Sequence, residues 1–147
     1  MESLYQSLPQ LAAYHSSLVF VALLVLAVLV QGFLAGVLGL GKGEETAGMP
    51  LKGDHSKLSF RVLRTYANST ENFSVMIATT LLAILVGVSP AIVNWLVGLH
   101  VVLRLLYWAI YYGGIGKVTA GPRTITYVAG FLMNLILAGF VIAALLF

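Results

Sequence analysis

Four long apolar runs leave this chain few ways to fold. They cover residues of about 13–40, 58–88, 91–112 and 125–147, and each reaches the roughly 20 residues that a helix needs to cross a hydrocarbon layer about 30 Å thick. None alternates apolar with polar positions as the strands of a membrane barrel do, so helices are the expected form. The rest of the chain is too small to surround these runs with a polar surface, since 60% of the 147 residues are hydrophobic and only 9% are charged. The expectation is one all-α domain, an integral membrane bundle of four helices.

The boundaries carry their own chemistry. Residues 1–16 hold no Lys or Arg, the first run is too long for a signal peptide, and no small-residue cleavage pattern follows it, so it reads as a retained helix. Ser89-Pro90 supplies an N-cap and a first helical residue, joining the second and third runs by a tight turn. Gly121-Pro122 does the same before the fourth. The segment 41–57 is the one long polar loop. There is no internal repeat.

Charge gives an orientation. The net charge of +3 belongs to membrane topology rather than to a nucleic-acid partner, because the basic residues flank the apolar runs. Lys42, Lys52 and Lys57 lie in the first loop, with Arg61 and Arg64 at its edge. Lys117 and Arg123 lie in the third, and Arg104 lies toward that end of the third run. Every basic residue thus falls on one side. The positive-inside rule places loops one and three in the cytoplasm and both termini outside, across the inner membrane if the source is bacterial.

Ionisable residues inside a span cost roughly 2.5–3.5 kcal/mol each on insertion scales and tend to mark function. Here they form two stripes. Arg61, Arg64, Asn68 and Glu71 follow spacings of 3, 4 and 3, and His100, Arg104, Tyr107 and Tyr111 follow 4, 3 and 4, each set keeping to one helical face. Glu71 and Arg104 lie at similar depth and are expected to pair, which by itself could serve only to lock two helices together. Arginine forks beside tyrosine hydroxyls suit an anionic small molecule with several polar groups.

Other features point to packing. Gly32 and Gly36 form a GxxxG, Gln31 suggests an interhelical hydrogen bond, and Asn134 is ambiguous. His100, Trp95 and Trp108 read as packing or interface residues. His15 and His55 lie too far apart to suggest a metal site, and no Ser/His/Asp set, phosphate loop or zinc spacing occurs. With no cysteine, any thiol chemistry must use a thiol carried in by a ligand.

The stretch RVLRTYANSTENF, residues 61–73, resembles the signature of the MAPEG family, the membrane-associated proteins of eicosanoid and glutathione metabolism. That pattern is Arg, two residues, Arg, three residues, Asn, two residues, Glu, met here by Arg61, Arg64, Asn68 and Glu71. RLLYWAIYY, from Arg104, is similar to the family's third-span segment, with Tyr107 and Tyr111 at the aromatic positions. PRTITY, residues 122–127, is similar to the start of the fourth span in prostaglandin-synthase members, with Arg123 at the proposed catalytic arginine and Thr124 at the hydroxyl after it.

The resemblance implies a left-handed four-helix fold assembled as a homotrimer, with glutathione as co-substrate between neighbouring subunits near the cytoplasmic side. Carried over residue by residue, it implies Arg61, Arg64, Asn68, Glu71, Tyr107 and Tyr111 as glutathione contacts, with Arg104 supporting them. Arg123 becomes the cation at sulfur, with Tyr111 or Thr124 as helper and Lys117 as a competing cation. The implied reaction is attack of the thiolate on a hydrophobic electrophile, or reduction of a lipid hydroperoxide, with no metal. A non-catalytic lipid-binding or scaffold member of the same fold is the alternative. A small four-span exporter is a further one, although such proteins centre on a first-span glutamate that this chain lacks.

Overall fold

The computed structural model describes residues 6, 8–38, 53–116 and 121–147. A 3-10 turn, Pro9–Tyr14, leads into α1, His15–Leu38, and α2, α3 and α4 follow over Leu58–Leu85, Pro90–Tyr112 and Pro122–Leu146. No strand occurs among the described residues. At about 1.5 Å per residue the 23 residues of α3 span about 35 Å, enough to cross a bilayer core.

Three of the helices are long and apolar enough to cross a membrane: the first together with its 3-10 turn, α3 and α4. The sequence led us to expect four. The longest helix, α2 with 28 residues, falls short of that apolarity. Its first half carries Arg61, Arg64, Asn68 and Glu71, which dilute the run from Val75 onward. Large apolar side chains such as Leu26, Phe33, Leu85 and Leu132 stand exposed around the bundle, as they do where the surrounding solvent is hydrocarbon.

The helices α3 and α4 pack most extensively, and α1 and α4 lie on opposite flanks of the α2/α3 pair. The core falls into two clusters. One gathers Tyr14, Met76, Ala83, Val93, Val97, Leu137 and Val141 near the α2–α3 turn. The other gathers Leu24, Val28, Val101, Tyr107, Trp108 and Tyr111 toward the opposite end. Of the GxxxG pair, Gly32 packs against the Tyr66 ring, where a Cβ would meet it at 3.2 Å, whereas nothing lies within 4 Å of a Cβ at Gly36.

The α2–α3 connection is tight because the helix end closes on itself. Gly87 adopts φ +78°, while its N–H reaches Ile84 O at 3.3 Å and the Val88 N–H reaches Ala83 O at 2.9 Å. These are the two bonds of a Schellman motif, which favours glycine at that left-handed position. Helix α2 therefore ends at Leu85, short of the expected residue 88. Ser89 is the N-cap of α3, but its hydroxyl makes no capping bond, and Pro90 alone sets the first turn. The Tyr14 hydroxyl donates to Val88 O at 2.6 Å and ties the N-terminal turn to this corner. Asn94 accepts from Ser17 N at 3.0 Å and donates to Ala13 O at 2.9 Å, stitching α1 to α3.

Candidate functional site

At the other end of the bundle the polar residues of α2 face a cavity of about 430 Å³, within the range of small-molecule sites. Helix α2 contributes Arg64, Asn68 and Glu71; α3 contributes Tyr107 and Tyr111; α4 contributes Arg123, Thr124 and Tyr127. His55, in the segment before α2, completes the wall. The 3- and 4-residue spacing that sets a helical face brings Arg64, Asn68 and Glu71 into register, and the same periodicity aligns Tyr107 with Tyr111.

Buried polar groups behind the wall are satisfied. Arg104 is 2% exposed, and its Nη2 donates to Asn68 Oδ1 at 2.7 Å and to Ser69 Oγ at 3.4 Å. Trp108 Nε1 also donates to Ser69 Oγ at 2.9 Å, and Ser69 in turn donates to Thr65 O at 2.8 Å. The Arg104 guanidinium stands 4.8 Å from the Tyr107 ring centroid and 5.9 Å from that of Tyr127. The expected Glu71–Arg104 pair is thus replaced by Arg104–Asn68. Asn68, about one turn before Glu71 on α2, accepts the hydrogen bond, and the Glu71 charge acts on Arg104 without one. Arg104 does not line the cavity; it fixes the amide that does.

Arg61 also stands away from the cavity wall. Its Nε and Nη2 donate to Tyr112 O at 3.3 and 3.1 Å, and Nη1 donates to His55 O and Ser56 O at 2.9 and 2.6 Å. It therefore caps the C-terminus of α3, where carbonyls lack helical partners and the dipole favours a cation. The same side chain holds the loop that carries His55. Gly114 follows this terminus at φ +66°, a left-handed conformation that favours glycine, and a Cβ there would make ordinary contact with Arg61 Cζ at 3.4 Å.

Arg64 and Glu71 differ from these. Both are exposed, both line the cavity, and neither has a hydrogen-bond or ion-pair partner among the described residues. Opposite them, Arg123 lies over the Tyr111 ring at 4.5 Å, and the Tyr111 hydroxyl meets His55 Nδ1 at 2.8 Å. Two cations, one carboxylate, an amide and three phenols can receive a molecule with carboxylates at one end and an ammonium at another.

His55 and Tyr127 are the lining residues that sequence reasoning missed. A histidine in a loop gives no periodic signal. Its flank does, because Asp54-x-Ser56 is an Asx-turn pattern. Asp54 Oδ1 accepts from Ser56 N at 2.8 Å, and the Lys57 N–H bonds Asp54 O at 3.0 Å. The Ser56 bonds hold the Asp54 carboxyl below the usual carboxylate range. Burial, then the positive charge of Arg123, pushes His55 below its ordinary 6.5, so the ring is neutral at pH 7. Lys117, the competing cation, lies outside the described residues.

Elsewhere, Gln31 makes the expected interhelical bond, Nε2 to Tyr112 Oη at 3.3 Å, though its Oε1 is buried without a partner. Gln31 closes one end of an apolar groove of about 480 Å³ between α1 and α3, walled by Leu24, Ala27, Val101, Leu105 and Trp108. His100 bonds Gly130 O through Nδ1 at 2.9 Å and joins α3 to α4. Among the described residues no group of three His, Asp or Glu could hold a metal ion.

A sequence model of the MAPEG family matches residues 17–143. No curated protein and no solved structure matches the chain. The matched span runs from the start of α1 almost to the end of α4 and includes every cavity residue named above. The chain is an integral membrane protein and belongs to the MAPEG family.

Proposed function

We propose that the chain is a membrane-bound glutathione transferase, with peroxidase activity toward lipid hydroperoxides as a second outcome of the same thiolate. The observation that carries this reading is a pair of charges with no hydrogen-bond or ion-pair partner among the described residues, Arg64 and Glu71, on a cavity wall that also bears Asn68, Tyr107, Tyr111 and Arg123. An exposed guanidinium and an exposed carboxylate on one cavity wall can engage the two charged ends of a zwitterionic ligand. Arg64 would take a carboxylate of the tripeptide and Glu71 its ammonium, which directs the thiol toward α4.

A free thiol with a pKa near 8.5 is only about 3% ionised at pH 7, and lowering that pKa by about two units gives roughly three-quarters thiolate. Arg123 supplies the cation at sulfur, with the Tyr111 or Thr124 hydroxyl as donor. The thiolate then attacks a hydrophobic electrophile, forming a C–S bond and expelling the leaving group. With a hydroperoxide, the O–O bond breaks and a second glutathione completes a disulfide, leaving alcohol and water. In this reading the molecule is a homotrimer whose neighbouring subunit closes the open side of the cavity. The termini lie outside, and the loops before α2 and α4 are cytoplasmic, following the one-sided placement of basic residues.

Calorimetry of glutathione with the detergent-purified protein tests this. The parent is expected to bind saturably, and Arg64→Ala and Glu71→Ala are each expected to lose about 2–5 kcal/mol of affinity while melting like the parent. A well-folded parent that does not bind glutathione would overturn the assignment and leave the non-catalytic scaffold reading.

A further inference from the structure

The Tyr111 hydroxyl lines the cavity and meets a histidine ring. It has one proton and two lone pairs. Arg123 stacks on the Tyr111 ring at 4.5 Å, and His55 Nδ1 stands 2.8 Å from the hydroxyl oxygen on the loop side. The Tyr111 proton goes either to His55 Nδ1 or into the cavity. The state of His55 decides which.

His55 is held for this task from several directions. Arg61 grips its carbonyl oxygen at 2.9 Å, the Asp54–Ser56 turn fixes the loop beneath it, and Phe60 meets its ring edge-on at 4.9 Å. The charged groups around it are Asp54 on its own loop, Arg61 and Arg64 on α2, and Arg123 on α4, with Tyr111 facing it from α3. The ring is half-buried, so it meets both the cavity and water.

We propose that His55 is a positioning residue that takes the thiol proton through Tyr111. This rests on the thiol-binding reading above. The ligand S–H gives its proton to Tyr111 Oη as the original Tyr111 proton passes to His55 Nδ1. One S–H bond is lost and one N–H bond is gained. The products are a thiolate, a Tyr111 hydroxyl now donating to it, and an imidazolium that releases its extra proton to water through its exposed side. Burial, then the charges of Arg123, Arg64 and Arg61, keep the ring neutral at pH 7, and with its proton on Nε2 the ring accepts at Nδ1. Below the histidine's own pKa, which lies under 6.5, Nδ1 is already protonated and the route is closed.

The test uses the full chain in detergent with glutathione, measuring affinity by calorimetry and thiolate formation by its ultraviolet absorbance during rapid mixing across pH. Glutamine can still accept a hydrogen bond from Tyr111 but cannot take a proton. His55→Gln is therefore expected to change affinity by less than about threefold while slowing thiolate formation about 10²-fold. The rate of thiolate formation in the parent should fall further at low pH than titration of the bound thiol alone accounts for, and that additional fall, set by His55, should be absent in the variant. His55→Gln that forms thiolate as fast as the parent would overturn the proposal, and so would one in which affinity and thiolate formation fall together. A parent that does not bind glutathione would overturn the underlying assignment and this inference with it.

Discussion

Where α2 turns into α3, the Thr79 and Thr80 hydroxyls donate to Val75 O and Met76 O of their own helix, both at 2.8 Å, and the neighbouring side chains are Met76, Ala83, Val93 and Leu137. About three to four turns away along the same helix, Thr65 and Ser69 also return to their own backbone, but Arg61 and Asn68 meet partners on α3, and Arg64 and Glu71 have no hydrogen-bond partner among the described residues. The α2 hydroxyls at the first end are satisfied within their own helix. At the second end they are satisfied between helices or left open. Such a helix can pack as a bundle element at one end and present a binding surface at the other.

The largest expected break in this contrast comes from Arg104. Arg104→Ala leaves Asn68 Oδ1 without its donor and removes the ring contacts to Tyr107 and Tyr127. Stability is expected to fall by about 3–5 kcal/mol, from the unsatisfied Asn68 oxygen and the emptied volume, and glutathione affinity to fall with it. Thermal unfolding and calorimetry on the same sample check this, and a loss confined to one readout would separate the wall from its support. Met76→Ala makes the complementary change. Its side chain is fully buried at the apolar end, so stability should drop by about 3 kcal/mol with ligand affinity unchanged. A matching loss of affinity would show that the two ends are coupled. The smallest effect is expected for Thr80→Val, which removes a hydroxyl bonded only to its own helix and should shift stability by less than about 1 kcal/mol.

Much of this was legible in the sequence. The apolar run lengths and the Pro90 and Pro122 starts located all four helices within a few residues, because membrane thickness and proline geometry are local constraints. The two stripes were legible for the same reason. A shared helical face did not, however, guarantee a shared cavity. Arg61 and Arg104 have side chains long enough to reach a helix terminus and a neighbouring amide respectively, and each takes the nearer partner. Glu71 and Arg104 have similar depth along their helices, yet depth says nothing about which residue one turn away stands closer. His55 depends on the Arg61 clamp, which joins segments distant in sequence, and no spacing rule carries that information.

The Gly87 turn has a consequence for how the chain enters a bilayer. Only four residues, 86–89, separate the end of α2 from the start of α3. A helix too polar to qualify as a span is thereby tethered to one that does qualify. The insertion threshold then applies to the hairpin rather than to either helix, and Arg104 and Asn68 meet inside that hairpin before either must face lipid alone. A helix that lines a polar cavity can therefore be carried into the membrane by its neighbour while its first half stays polar.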